Sequence, residues 1–191
     1  MDLIRNQFFI GFFINFILIY IFCKIPLMTK GGWISAGILG TILWGSLSWQ
    51  GWMSVVIYLI FGSLVTKIGF KFKKEQGIAE KRGGRRGPEN VWGSAATGLF
   101  LAIMTKFNPA NVVMFKVGFA ASFAAKLADT FGSEIGKRFG KDTYLITSFK
   151  KVERGTEGGI SIEGTLASVL GSIFMAFIML RLSIISTKYH F

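Results

Sequence analysis

The sequence predicts an all-α, polytopic membrane protein with about six transmembrane helices. Hydrophobic residues make up 51% of its 191 residues, and the mean hydropathy is +0.51. They occur in blocks of about 17 residues with few charges inside, the length that crosses a bilayer as a helix. Charges lie between the blocks: segments 67–86 and 137–154 hold eight and six of the 22 Lys and Arg. We therefore expect residues 1–191 to form one membrane-embedded domain.

Six apolar blocks define the predicted spans. The first lacks the basic region and the small-residue cleavage site of a signal peptide, so we interpret it as a span. Pro26 follows it, a polar turn from Ser48 to Gly51 separates the second span from the third, and Pro109 separates the fourth from the fifth. The predicted spans are residues 7–23, 32–48, 52–68, 91–105, 111–128 and 165–182.

The distribution of positive charge predicts the orientation. The loops after the third and fifth spans lie on one side and hold most of the cations, so the positive-inside rule assigns them to the cytoplasm and both termini to the outside. Lys106 is the only cation in the loops that face the opposite side, and Lys188 in the C-terminal segment is also predicted to lie on that side. Nine of the ten acids lie between Glu75 and Glu163. We expect an integral protein of a prokaryotic plasma membrane whose active face is cytoplasmic.

Composition excludes several functions. The net charge of +12 would indicate a nucleic-acid partner in a soluble protein, but here it follows the topology, so no nucleic acid is expected. The single Cys23 and the single His190 leave no intrachain disulfide and no Ser-His-Asp or Cys-His catalytic set. Lys116, inside the fifth span, is expected to extend its ammonium to the outer interface. Three lysines after the third span are expected to contact anionic lipid: Lys71, Lys73 and Lys74.

A glycine-rich basic segment, residues 83–93, leads into the fourth span. Its glycines let the backbone approach an anion, while Arg85 and Arg86 present the fork that pairs with phosphate oxygens. Pro88 suits a helix start, whose free amides attract anions, and Asn90 is expected to orient a nucleotide or an acceptor. The pattern predicts a phosphate cradle, although the Gly-Lys-Ser/Thr ending of a Walker loop is missing. The alternative is a basic loop that contacts anionic lipid.

The fifth span ends in a segment, residues 126–141, that combines carboxylates, glycines and cations. Asp129 and Glu134 are candidate Mg²⁺ ligands because Mg²⁺ prefers oxygen ligands of this kind. Three glycines recur every four residues and should form a helix face without side chains: Gly132, Gly136 and Gly140. The alternative is a helix end with a Lys126–Asp129 ion pair and small-residue packing.

A third segment, residues 154–165, leads into the sixth span with Glu157 between glycines. The alternative is a flexible loop with a helix N-cap. Together the three segments suit phosphoryl transfer, whose catalysis is largely positioning and charge neutralisation. The candidate catalytic residues are Asp129, Glu134, Glu157 and Lys137, and the three carboxylates are also the candidate metal ligands. The candidate nucleotide- and phosphate-binding residues are Arg85, Arg86, Gly87, Asn90, Arg138, Lys151, Arg154 and Thr156.

Short motifs in these segments carry a family resemblance that covers roughly residues 77–171. They are Arg85-Arg-Gly with Asn90-Val, Ala128-Asp-Thr with Ser133-Glu-Ile-Gly, and Gly155-Thr-Glu-Gly-Gly with Gly164-Thr. They resemble the signature phrases of the phytyl-phosphate kinase family of small integral membrane proteins. More distantly, the spacing of Asp129, Gly136 and Gly140 is similar to a pattern in dolichol kinases and phosphatidate cytidylyltransferases. Thr156-Glu-Gly is likewise similar to the Lys-Thr-x-Glu-Gly phrase of those enzymes. Gly132 replaces the usual alanine of the first pattern, and Arg154 replaces the lysine of the second at a shifted spacing.

The resemblance implies a CTP-dependent kinase, a transferase that uses Mg²⁺ to convert an isoprenyl monophosphate, phytyl or geranylgeranyl-like, to its diphosphate at the cytoplasmic membrane face. Its partners would be the nucleoside triphosphate, the isoprenyl phosphate and the lipid bilayer. Two other functions stay open. One is a CTP-dependent cytidylyltransferase acting on a lipid phosphate, and the other is a non-enzymatic membrane transporter or scaffold. The acceptor chain, the preferred nucleotide and the formation of a homodimer stay open as well.

Overall fold

The computed structural model describes residues 2–185, with side chains from residue 6 onward, and these residues are mostly helical as predicted. Lys188 and His190 lie outside them. The α-helices, in chain order, are α1 Asp2–Phe22, α2 Lys30–Lys67, α3 Phe70–Glu75, α4 Pro88–Phe107, α5 Val112–Phe139 and α6 Ile162–Arg181. Each of the six predicted spans falls within one of these helices to within one residue at either end, and α2 contains two of the spans.

Within residues 2–185, three helices are long and apolar enough to cross a membrane by length and composition. They are Lys30–Lys67, Pro109–Phe139 and Ile162–Arg181, and Asn6–Phe22 is a shorter apolar helix. Their apolar side chains are widely exposed, as in Leu166 and Ile173 of α6, which are each 60% exposed. Such surfaces belong in lipid, so the predicted all-α membrane fold is confirmed.

The two halves of α2 meet at Ser48, whose φ of 59° and ψ of −165° are not helical. Asn15 of α1 contacts both halves: its Oδ1 accepts a hydrogen bond from Nε1 of Trp52 at 3.0 Å, and a Cβ on Gly40 would collide with its amide. The rings of Trp44 and Trp52 lie 5.4 Å apart, whereas eight residues of straight helix would span about 12 Å. The chain therefore reverses where the sequence predicts a polar turn.

The described chain forms two compact units. The first unit contains the described parts of segments 1–57, 85–123 and 176–191, and the second unit contains Tyr58–Gly84 and Ala124–Met175. In the first unit, Phe119 and Phe123 of α5 are fully buried, and a Cβ on Gly98 of α4 would lie 2.5 Å from the Phe123 ring. Because α2, α5 and α6 each contribute to both units, the prediction of a single domain stays a prediction.

A small antiparallel sheet in the second unit was not predicted. Its strands are β1 Thr143–Leu145, β2 Lys151–Val152 and β3 Gly159–Ile160, in the order β2-β1-β3. Tyr144 pairs with Lys151 on one side and with Ile160 on the other. Strands of two or three residues are too short for an alternating pattern to reveal. The sheet leads the chain from the end of α5 to the start of α6.

The predicted glycine strip of α5 packs against α6 within the second unit. A Cβ on Gly132 would lie 3.1 Å from the Gly164 carbonyl oxygen and would collide with the Ser168 hydroxyl. A Cβ on Gly164 would lie 2.8 Å from the Gly132 carbonyl oxygen, and one on Gly136 would lie 3.6 Å from the Gly164 Cα. The absence of side chains therefore lets two helices approach closely, which is the small-residue packing left open by the sequence.

Candidate functional site

A cavity of about 540 Å³ lies in the second unit between α5, a glycine loop (residues 155–160) and the first turns of α6. We call it the α5–α6 cavity. Four of the predicted site residues line it: Asp129, Lys137, Thr156 and Glu157. Most of the remaining lining is glycine or hydroxyl-bearing, including Ser133, Thr143, Ser161, Thr165 and Ser168. The structure thus brings residues of the second and third sequence segments together around one space.

The glycine loop presents Glu157 through a tight turn. Gly155 and Gly158 have φ values of 81° and 75°, a left-handed conformation that glycine adopts without steric cost. The hydroxyl of Thr156 donates to the Glu153 carbonyl at 2.8 Å, and the amide of Gly159 donates to the Thr156 carbonyl at 3.0 Å. These local bonds fix the backbone on either side of Glu157, which itself is exposed.

Asp129 and Lys137 lie on the α5 side of the cavity. The Asp129 side chain is 71% exposed, and its Oδ2 is 3.7 Å from the Lys126 ammonium. An exposed pair of this kind contributes little stability, so the Asp129 carboxylate stays accessible to a ligand. The Lys137 Nζ lies 3.3 Å from Oε1 of Glu80 and 4.0 Å from Oε1 of Glu134. Two carboxylates therefore hold the Lys137 ammonium at the cavity wall.

The first turn of α6 borders the same cavity. The Ser161 Oγ accepts a hydrogen bond from the Gly164 amide at 3.2 Å, and the Thr165 hydroxyl donates to the Ser161 carbonyl at 2.9 Å. Ser161 is thus the N-cap of this helix. All three residues line the cavity, so the positive end of the helix dipole lies beside Lys137 and favours an anion there.

Glu134 does not line the α5–α6 cavity. Its carboxylate is buried in an ion pair with Lys73 of α3, and the Lys73 ammonium also donates to the Thr66 carbonyl at 2.8 Å. The prediction that Lys73 contacts anionic lipid is therefore wrong, because its side chain is fully enclosed. Among the described residues, no group of three His, Cys, Asp or Glu could hold a metal ion. The structure thus places Asp129 and Glu157 on the lining of one cavity and leaves Glu134 with Lys73.

Three other predicted phosphate-binding residues of the second unit lie outside the cavity lining: Arg138, Lys151 and Arg154. The Arg138 guanidinium packs over the rings of Phe72 and Phe139 at 4.7 and 4.9 Å. The Lys151 Nζ lies 2.5 Å from Oδ1 of Asp142; this hydrogen bond lowers the pKa of Asp142 and raises the pKa of Lys151. Arg154 is exposed and forms no ion pair within residues 2–185.

The remaining predicted binding residues belong to the first unit: Arg85, Arg86, Gly87 and Asn90. The Thr29 amide donates to the Arg86 carbonyl at 3.0 Å, and the Arg86 amide donates to the Leu27 carbonyl at 3.1 Å. These bonds form a short parallel bridge that fixes the segment before α4. The Asn90 Oδ1 accepts a hydrogen bond from the Gly87 amide at 2.9 Å, so this side chain helps to fix the start of α4.

Comparison with known proteins agrees with this architecture. The family described as integral membrane protein DUF92 matches residues 13–190. The chain belongs to this family. A Synechocystis relative, the uncharacterized membrane protein sll0875, is 47% identical over 161 residues, which are 84% of this chain and 62% of the relative. The Arabidopsis thaliana protein VTE6, chloroplastic, is 46% identical over 158 residues, which are 79% of this chain and 47% of that protein.

A third relative comes from an archaeon. The uncharacterized membrane protein MJ0933 of Methanocaldococcus jannaschii is 34% identical over 167 residues, which are 84% of this chain and 68% of the relative. The chain therefore spans 62% and 47% of the lengths of the first two relatives and about two thirds of the third. No solved structure matches the chain significantly. These matches confirm the family resemblance that the sequence motifs indicated.

Proposed function

We propose that this protein is a kinase that phosphorylates an isoprenyl monophosphate to its diphosphate at the cytoplasmic membrane face, with CTP as donor and Mg²⁺ as cofactor. The observation that carries the proposal is the α5–α6 cavity, which combines two carboxylates, a held ammonium and a helix N-terminus. Family membership and the similarity to VTE6 support an isoprenyl phosphate as the acceptor. The choice of CTP rests on the motif resemblance.

The position of the cavity along α6 suits an acceptor with a polar head and an apolar tail. The cavity is lined by Ser161, Gly164 and Thr165 at the start of this helix. The next turns expose apolar side chains, such as Leu166 and Leu170, which are 60% and 65% exposed. A prenyl phosphate whose phosphate lies in the cavity can therefore extend its tail along a lipid-facing helix.

In the proposed reaction, a phosphate oxygen of the acceptor attacks the γ-phosphorus of CTP. The bond between this phosphorus and the β–γ bridging oxygen breaks, CDP leaves with the electron pair, and the products are prenyl diphosphate and CDP. Lys137 and the positive end of the α6 helix dipole neutralise charge on the transferring group. The exposed carboxylates of Asp129 and Glu157 are the residues that would hold the metal.

Two carboxylates on one cavity fit Mg²⁺, because this ion is usually bound by one or two carboxylates together with substrate phosphates and water. When bound, Mg²⁺ would neutralise charge on the β- and γ-phosphates of the nucleotide. Glu134 is left out of this proposed set because it pairs with Lys73. Glu80 and Glu134 instead hold the Lys137 ammonium.

The test is an assay of the purified protein in detergent with Mg²⁺, each labelled nucleoside triphosphate and a panel of prenyl monophosphates. The proposal predicts prenyl diphosphate and CDP in equal amounts. Glu157→Gln should lower turnover about 100-fold or more, because it removes a carboxylate that would hold the metal. The fold should stay intact, because the Glu157 side chain is exposed. Glu153→Gln is the matched control, because Glu153 is an exposed glutamate four residues earlier that does not line the cavity.

The two alternative functions give different results in this assay. A cytidylyltransferase releases pyrophosphate and leaves a CMP group on the lipid, so labelled α-phosphate would enter the lipid product. A transporter or scaffold gives no product with any nucleotide. If the Glu157→Gln and Glu153→Gln proteins had equal turnover, the reaction would not take place in the α5–α6 cavity.

A further inference from the structure

A second cavity, of about 330 Å³, lies in the first unit and is formed where helices turn or end. We call it the lysine cavity. It is lined at the reversal of α2 by Ser46, Ser48 and Gln50, by residues at the end of α4 and the start of α5, and by the residues that follow α6. Neither the family motifs nor the proposed kinase reaction uses any of these residues.

Two ammonium groups line this cavity without a carboxylate. Lys106 is exposed in the last turn of α4, and Lys116 is half-buried in the second turn of α5. The lining contains no Asp or Glu, and neither lysine forms an ion pair or hydrogen bond with another residue in the described range. A cation within an apolar helix is costly unless it is paired or reaches water. The half-buried Lys116 and the exposed Lys106 thus place two positive charges beside one cavity, and the described lining supplies no anion for them.

Ser46 supplies a second, independent observation. Its side chain is nearly buried, at 5% exposure, and it lines the lysine cavity. Its hydroxyl makes no hydrogen bond to any residue that the structure describes. The hydroxyl oxygen is not enclosed by protein, since Trp33 Nε1 is the one buried side-chain polar atom without a partner among the described residues, so the Ser46 hydroxyl opens to the cavity. The Ser46 hydroxyl is therefore a donor that a ligand in the cavity can satisfy.

The backbone around the cavity is also unusual. Ser48 and Ser183 both line it, and both have positive φ values, of 59° and 57°. Positive φ is strained for residues other than glycine, and such strain persists only where the surroundings enforce it. Here it directs two more serine residues to the wall of the cavity that carries the two lysines.

We propose that the lysine cavity binds the phosphate group of an anionic molecule. The ammonium groups of Lys106 and Lys116 match a phosphate as point charges, and the serine hydroxyls provide hydrogen bonds to its oxygens. The volume exceeds that of a phosphate ion and accommodates a small substituent such as glycerol. The phosphate can come from the headgroup of an anionic phospholipid or from free phosphate. Lys116 then extends its ammonium into this cavity, which refines the expectation that it simply reaches the interface.

The test uses the full chain in nanodiscs of phosphatidylcholine, with and without phosphatidylglycerol, and measures thermal unfolding. Anion binding to the folded state alone raises the midpoint by mass action. A separate arm adds inorganic phosphate to pure phosphatidylcholine nanodiscs. The Lys106→Gln/Lys116→Gln protein is compared with Lys24→Gln/Lys30→Gln, which removes the same charge from exposed lysines of the first unit outside the cavity.

We expect phosphatidylglycerol, inorganic phosphate or both to raise the midpoint of the parent, and the more effective additive identifies the source of the phosphate. The Lys106/Lys116 variant should lose most of the rise, while the Lys24/Lys30 variant keeps it. Ser46→Ala, which cannot perturb charge, should reduce the rise in part. A parent that responds to neither additive, or a Lys106/Lys116 variant that keeps the full response, would overturn the proposal.

Discussion

The ammonium of Lys73 and the carboxylate of Glu134 form an ion pair that is enclosed within the second unit. Lys73 comes from the six-residue helix α3, and Glu134 comes from the last turns of α5, 61 residues later. Lys73 also donates to the Thr66 carbonyl, and Glu134 approaches Lys137 at the cavity wall. This pair therefore attaches α3 to the helix that carries Asp129 and Lys137.

The first prediction concerns the stability of this pair. Lys73→Met leaves a buried carboxylate without its partner and should lower the free energy of unfolding by about 3–5 kcal/mol. The double variant Lys73→Met/Glu134→Met removes both charges and should recover most of that loss. Lys71→Met is the control, because Lys71 is exposed on the same helix. Denaturant titration of these proteins and of the Glu134→Met single variant measures the coupling, and additive losses in the double variant would contradict a direct pair.

The second prediction concerns pH. The hydrogen bond from Lys151 lowers the pKa of Asp142 below 3.8. The ionised Asp142 therefore contributes stability above pH 3.8, and this stability is lost as the pH falls through the lower pKa of the folded state. The same bond raises the pKa of Lys151 above 10.5. The stability contributed by the charged Lys151 is therefore present below pH 10.5 and is lost as the pH rises through the higher pKa of the folded state. The pair thus stabilises β1 and β2 throughout the neutral range.

Carbon NMR of the Asp142 carboxyl group measures this directly. The titration midpoint should lie below 3.8 and should move toward 3.8 in the Lys151→Gln protein. Lys150→Gln, which changes the exposed neighbouring lysine, should leave the midpoint nearly unchanged. High salt should reduce the difference because the pair is exposed. Identical midpoints in the parent and the Lys151→Gln protein would show that the pair does not form in solution.

The third prediction concerns the contact of α5 with α6. Gly132→Ala places a methyl group against the Gly164 carbonyl and the Ser168 hydroxyl, and should lower the free energy of unfolding by about 1–3 kcal/mol. Gly93→Ala is the matched control in α4, where a Cβ meets no atom within 4 Å. It should raise stability by about 0.5–1 kcal/mol, the usual helical preference for alanine over glycine. A neutral Gly132→Ala would mean that the helices lie farther apart.

Much of the fold could be predicted because membrane spans depend on local composition. The apolar blocks and the reversal at Ser48 are written in consecutive residues, and the Pro88 signal marks the start of α4. The small sheet was not predicted because its strands are only two or three residues long. The pairing of Tyr144 with Lys151 and Ile160 depends on turn geometry that composition does not reveal.

The site could be predicted less completely, for a physical reason. A carboxylate such as Glu134 near the end of an apolar helix requires a partner, and this requirement is visible in the sequence. Its partner is one of eight cations in segment 67–86, which are equivalent by composition. Only the packing of α3 selects Lys73 and buries it, while Lys71 and Lys74 stay exposed. Glu80, which contacts Lys137, was missed for the same reason.

The central claim is that Asp129 acts on substrate phosphates through the α5–α6 cavity. The most direct measurement is turnover of the Asp129→Asn protein at saturating Mg²⁺, with a melting curve beside it. Asn keeps the shape and removes the charge, so we predict a folded protein with turnover lower by about 10³-fold or more. Lys126→Met, which removes only the exposed ion pair, and Asp142→Asn, outside the cavity, should change turnover far less. Near-normal turnover of the Asp129→Asn protein would contradict the account.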